Sequence, residues 1–306
     1  MATDQHQATT PAAASYFAGI AAALATCAIG AGWQIATRMG TATLAPIDLA
    51  LIRYAIPALL LAPVWLRVGI GSPSWRSTGQ LLVLVLGAGL PFGLLGITGA
   101  SFAPVAHMGT LLPGAIPLFV ALLSGWFLRE TLPLWRGIGL AVIVCGMGML
   151  ASQSITSFDN GVWRGDALFL LAALLWSGYT VIFRQSNFTP WQAAAVINAW
   201  SALLVLPLWL VMNEGQLFAM PLRDLLVQGL WQGVLAGVGG LWTYGVAIKL
   251  IGPARAAAFG ALVPVMAALG GLALLDEPMT STTLAGVVLT SCGVLLATGI
   301  FARLQK

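Results

Sequence analysis

Four ionisable side chains stand in apolar surroundings that an ordinary soluble protein would not offer them: Arg53, His107, Glu130 and Glu277. Charged or titratable groups inside long hydrophobic segments are functional suspects by default, because burying them there is costly. Arg53 could attract an anionic group. Its alternative is a structural one, with the head snorkelling to an interface about two turns from Pro46. His107 could meet a carboxylate or respond to pH, or serve as a hydrogen-bonded packing histidine. Glu130 and Glu277 end two apolar segments, and a turn follows each (Leu132-Pro133 and Pro278). They read as gating or coupling acids, or as caps that bond loop backbone.

Nothing else assembles into a catalytic set. There is no Gly-x-Ser-x-Gly elbow, and His107 has no evident partner in its neighbourhood of the sequence. Cys27, Cys145 and Cys292 are dispersed, and the chain has two histidines, so no zinc cluster is expected. The cysteines fall inside apolar segments and read as small packers rather than a disulfide set. An enzyme, a cofactor and a bound metal are therefore not expected.

The groups suited to holding a small organic solute are aromatic. Trp33 with Gln34 next to it, Trp176, Tyr179, Trp242 and Tyr244 lie within apolar segments. An amphipathic ring with a polar handle suits a cavity for a zwitterion with an apolar side chain; the alternative is contact with lipid or a neighbouring helix. Trp65, Trp75, Trp126, Trp135, Trp163, Trp191 and Trp209 lie near segment ends and read as an interfacial belt. Pro113, Pro117 and Pro264 interrupt hydrophobic segments, where they would kink a helix and free a carbonyl.

The elements that must position these groups are membrane helices. The chain of 306 residues is 59% hydrophobic and only 7% charged, with a mean hydropathy of +0.94. A soluble domain carries about 25% charged residues. Continuous apolar runs fall at 15–39, 46–66, 79–99, 103–127, 135–151, 165–184, 191–212, 225–248, 254–275 and 281–301. Each is about the length of a bilayer-spanning helix, and none shows the alternation of barrel strands. An all-α membrane protein of about ten helices follows. The first fourteen residues lack Lys and Arg, unlike a secretory signal, so the first run is expected to stay as a span.

The chain also repeats itself. Pro117, Glu130, Gly139 and Gly146 recur, with every interval kept, as Pro264, Glu277, Gly286 and Gly293. Pro46, Pro63, Trp65 and Leu66 recur as Pro190, Pro207, Trp209 and Leu210, and Gly32 and Arg38 answer to Gly178 and Arg184. Trp33 and Tyr179 are then equivalent. The organisation expected is a polar tail 1–14, a first repeat 15–152, a connection 153–164, a second repeat 165–301 and a tail 302–306. With the N-terminus in the cytoplasm, nine basic residues (Arg67, Arg76, Arg129, Arg136, Arg184, Lys249, Arg255, Arg303, Lys306) fall inside and three (Arg38, Arg164, Arg223) outside. Equivalent loops exchange charge between the halves: Arg129 and Arg136 have no basic counterpart near Asp276 and Glu277, and Lys249 with Arg255 copies a base-free connection. Five spans per half in opposite orientations give inverted repeats, a common build of carriers whose sites lie between the halves near the midplane.

The residues that carry the repeat also carry a resemblance. Leu112-Pro113-Gly114-Ala115-Ile116-Pro117-Leu118-Phe119, Leu128-Arg129-Glu130-Thr131-Leu132, Gly137-Ile138-Gly139-Leu140 with Gly146, Gly165-Asp166-Ala167-Leu168 with Trp176 and Arg184, and Arg53 together resemble tandem EamA domains of the drug/metabolite transporter superfamily. The likeness covers nearly the whole chain and is greatest to YddG-type amino-acid exporters. It implies a ten-helix carrier of a bacterial-type inner membrane that exports small metabolites, neutral and aromatic amino acids first, by alternating access. The partners implied are a small solute and the bilayer, without nucleic acid; the sequence leaves the oligomeric state open. No Asp or Glu falls near a helix centre, whereas ion-driven antiporters bury such an acid. Facilitated diffusion is the expected mode, with His107 as the one evident proton site. A proton-driven multidrug or other metabolite exporter is the alternative in kind; a membrane enzyme or a non-transporting scaffold is the alternative in class.

Overall fold

A computed structural model of the chain describes residues 13–71, 75–128, 132–156, 158–212, 215–251 and 253–298. Among these residues there is no strand. The order is α1 (Ala13–Gly40), α2 (Pro46–Leu60), α3 (Ala62–Val68), α4 (Trp75–Ala88), α5 (Leu90–Phe102), α6 (Val105–Leu128), α7 (Leu134–Thr156), α8 (Val162–Gln185) and α9 (Pro190–Met212). There follow α10 (Gln216–Ala219), α11 (Leu222–Gln228), a π-helix (Gly229–Gly240), α12 (Leu241–Ile251), α13 (Pro253–Phe259), α14 (Leu262–Leu275) and α15 (Ser281–Ala297).

Seven helical runs among the described residues are long and apolar enough to cross a bilayer: α1, α4 with α5, α6, α7, α8, α9, and the run from α11 to α12. The pair α2–α3 makes an eighth if it counts as one span, bent by 69°; α14 and α15 are shorter apolar helices. Several of the expected runs are broken. Pro57 lies inside α2 and Pro63 opens α3; proline removes a backbone donor and disfavours a straight helix there. The break between α4 and α5 falls at Gly89, one residue ahead of Leu90-Pro91. Its backbone is not left bare: Tyr54 Oη donates to the Gly89 carbonyl (2.5 Å) and Leu90 N donates to Ser201 Oγ (3.0 Å). Non-helical backbone at membrane depth requires such internal partners, since lipid supplies none.

Four of the glycines that mark the repeat, Gly139, Gly146, Gly286 and Gly293, sit at one interface, between α7 and α15. A Cβ added at Gly139 would stand 2.8 Å from the Gly293 carbonyl, and one at Gly293 would stand 2.8 Å from the Gly139 carbonyl. Gly146 and Gly286 face each other in the same reciprocal way, at 2.8 and 2.9 Å. These helices approach backbone to backbone because no side chain intervenes. The outer face is apolar, with Leu59, Val211, Leu210 and Trp126 exposed, as lipid contact demands. Cys27 is buried, while Cys145 and Cys292 are exposed, and all three are free.

Candidate functional site

A central cavity of about 210 Å³ lies where α1, α2, α5, α6, α8, α9, the π-helix and α12 meet. Its walls are mainly apolar and aromatic: Phe92, Leu112, Ile116, Trp33, Trp176 and Tyr244. On α1 the lining residues run from Ala23 to Gln34, and Ala256 and Gly260 line it near the end where α1 begins. The cavity therefore extends from the level of Arg53 towards that end.

The opposite end is closed by polar bonds. Arg38 Nε lies 2.9 Å from Glu277 Oε1, and its Nη1 donates to the Ala100 carbonyl at 2.7 Å. Glu277 Oε2 accepts from Val105 N at 2.8 Å. The acid caps the first turn of α6, where free N–H groups and the helix dipole favour negative charge. The cap expected of Glu277 exists, but it serves a helix 172 residues away rather than its own turn. Glu130 lies outside the described residues.

Arg53 does not snorkel. It is 7% exposed and lines the cavity, with its guanidinium 4.4 Å from the centre of the Trp33 ring. Its Nε and Nη1 have no hydrogen-bond partner. Its place halfway along α2, whose neighbours α5, α9 and the π-helix enclose it, keeps the side chain from the bilayer interface. Gln34, 2% exposed, also lines the cavity with its Oε1 unpartnered. Asn198 spends its amide on the Ala194 and Gly237 carbonyls.

Trp33 is fixed rather than free to rotate. Its Nε1 donates to Gln232 Oε1 at 2.7 Å, and Gln232 Nε2 donates to Thr37 Oγ1 at 2.9 Å. Gln228 Nε2, one turn earlier, bonds the Ala36 carbonyl at 2.7 Å. The wide π turns, a form rare in proteins and frequent at functional sites, carry Gln232, and with Gln228 it clamps α1. From Trp33 an aromatic row runs across the molecule through Phe92 (6.0 Å), Trp176 (4.8 Å), Tyr179 (5.1 Å) and Phe183 (5.5 Å). The sequence reading singled out neither Gln232 nor Phe92. An amide and a phenylalanine among apolar residues carry no spacing signal that could have found them.

Of the residues singled out from sequence, Trp33, Gln34, Arg53, Pro113, Pro117, Trp176 and Tyr244 line the cavity. Tyr179 is buried behind it, packed on Trp176 and Phe183. Trp242 is 42% exposed and stacks on Trp191 at the outer surface. Pro264 is buried near Gly109 and does not line it. Gly32 does not leave room for a solute, because the Trp231 ring already fills that space.

His107 is placed as a hydrogen-bonded histidine rather than as a cavity group. It lies away from the cavity and has a partner: Nδ1 is 2.8 Å from Asp166 Oδ1, and Ser154 Oγ bonds Asp166 Oδ2. Asp166 is buried, as is Asp48, which accepts from Trp209 Nε1 at 2.7 Å. Neither acid stands at a helix centre: Asp48 is in the first turn of α2 and Asp166 is five residues into α8, yet both are enclosed. Both stand near helix starts in the chain, but neighbouring helices cover those starts. Trp209 correspondingly belongs to the core, at 7% exposure, and not to the interfacial belt.

With this geometry in view, a family model for the EamA-like transporter family matches residues 17–152 and again 163–299. The chain belongs to the EamA-like transporter family. It is thus a multi-pass membrane transporter with two EamA repeats, and not an enzyme. A Bacillus subtilis protein described as "Uncharacterized transporter YoaV" is 25% identical over 195 residues, covering 61% of this chain and 65% of the relative. An uncharacterized transporter of Archaeoglobus fulgidus is 22% identical over 253 residues, covering 82% and 88%. A solved crystal structure shares the fold, with a TM-score of 0.65 and 18% identity over 96% of this chain and 98% of that one.

Proposed function

We propose that this EamA transporter exports neutral and aromatic amino acids across an inner membrane by alternating access through the central cavity. The observation that carries the reading is the cavity itself: aromatic walls, one buried cation and one free amide oxygen at the meeting of helices from both repeats. Apolar pockets with a few convergent polar groups are the usual form of small-molecule sites. The carrier architecture proposed is ten spans in two inverted five-helix halves with both termini cytoplasmic. The reciprocal contacts Gly139–Gly293 and Gly146–Gly286 support it. So does the pairing of equivalent helices, α2 on α9 and α6 on α14. In that topology the cavity extends towards the cytoplasm, the side from which an exporter loads.

Facilitated transport remains the preferred mode: among the described residues lining the cavity there is no Asp or Glu. The buried His107–Asp166 pair favours proton coupling as the second reading, since such a pair is a plausible proton site within a membrane. Purified protein in proteoliposomes should show counterflow of labelled neutral and aromatic amino acids, with uptake little changed by an imposed pH gradient. Uphill accumulation driven by protons would replace the facilitator with the second reading. Absence of counterflow across the whole amino-acid panel would sink the substrate assignment.

A further inference from the structure

The cavity is electrically lopsided. Arg53 is the one charged side chain among its described lining residues. It is buried, with Nε and Nη1 unpartnered. The Trp33 ring faces it at 4.4 Å and the Tyr54 ring at 5.6 Å, so aromatic faces supply part of its stabilisation. They leave the N–H groups of Nε and Nη1 without an acceptor. A guanidinium fork matches a carboxylate in two parallel hydrogen bonds and holds it far more strongly than a neutral acceptor. A buried cation without a partner is costly, and the cost is offset when an anion enters. For a positively charged group the cavity offers no counterpart. Gln34 Oε1, buried and unpartnered, is a neutral acceptor.

We propose that Arg53 binds the carboxylate of the transported solute, and that this carboxylate rather than the ammonium group is the charge the site requires. The substrate class is then an organic monocarboxylate bearing an aromatic or large apolar group, with the amino group optional and received by Gln34 Oε1. Trp33, Phe92 and Trp176 form the apolar wall on which the rest of the solute lies. This rests on the transport reading above and narrows it.

Counterflow of labelled tryptophan into proteoliposomes tests it with three competitors of one ring system: tryptamine, which lacks the carboxylate, 3-indolepropionate, which lacks the amine, and indole, which lacks both. In the wild type, 3-indolepropionate should compete within about tenfold of tryptophan. Tryptamine and indole should be weaker by about tenfold to a hundredfold, the range for a lost charge-assisted hydrogen bond. Arg53→Gln should abolish the difference between tryptamine and 3-indolepropionate, and Gln34→Leu should weaken tryptophan while sparing 3-indolepropionate. Tryptamine competing as well as tryptophan in the wild type would overturn the anchor and leave amino-acid transport standing. Uptake of labelled 3-indolepropionate without uptake of any amino acid would do the reverse. If neither acid is taken up, both readings fall. Should Arg53→Gln not insert, the wild-type series and Gln34→Leu still decide.

Discussion

Trp33 is held from three sides: Gln232 fixes its N–H, Arg53 lies over its face and the Phe92 ring packs beside it at a tilt. Such a ring presents a preordered apolar surface to a solute, whereas a free one would lose rotamer entropy on binding. Trp176 presents the facing surface through the same row. Trp33→Ala and Trp176→Ala should each cost about 1–3 kcal/mol of solute binding from lost apolar contact, read as weaker competition in counterflow with the protein still folded. Trp126→Ala, at a position 83% exposed on the lipid face, is the matched control and should be silent. Equal effects at all three positions would mean that these rings only pack helices.

Among the elements, α7 and α15 depend on glycine most directly. A Cβ at Gly139 would meet Ala297 N at 2.3 Å, and one at Gly293 would meet Ile143 N at 2.6 Å. Both obstacles are backbone, so no rotamer change relieves them, and the helices must part. Gly139→Ala and Gly293→Ala should each destabilise by about 1–3 kcal/mol. The double variant should cost less than the sum, since both glycines share one contact. Thermal unfolding in detergent measures this, with Gly148→Ala as control, because a Cβ at Gly148 meets nothing within 4 Å. A destabilisation at Gly148 matching the other two would contradict the close approach. The glycines were legible in sequence as repeat markers. Their partners were not, since the repeat pattern says which positions are equivalent and not which ones touch.

For the whole molecule the two halves make an orientation argument. The proposed five spans per half and the exchange of basic residues between equivalent loops would set the halves in opposite orientation in the bilayer. Reporter fusions near Ser101 and Phe158 should face outwards, and those after Arg129 and Lys249 should face the cytoplasm. Fusions placing Arg129 or Lys249 outside would remove the inversion, and with it the cytoplasmic direction of the cavity. The Arg38–Glu277 pair then lies at the outer end, joining α1 to the tip of α14 and the start of α6.

Amino-acid order alone determined the membrane class, the two EamA repeats and the positions of the apolar runs. These follow from composition and local apolar length, quantities summed over neighbours in the chain. It also placed Trp33, Gln34, Arg53, Trp176 and Tyr244 among the candidate residues, because polar and amphipathic groups inside apolar runs are conspicuous one by one. The tertiary structure alone decided which of them share a cavity. Trp33 meets Gln232 across 199 residues and His107 meets Asp166 across 59, and no local pattern encodes such meetings. Burial likewise depends on what covers a helix end, so Asp48 and Asp166, beside helix starts in the chain, are enclosed in the fold. Arg53 became informative for the same reason: its Nε and Nη1 are known to lack an acceptor only once every neighbouring helix is in place.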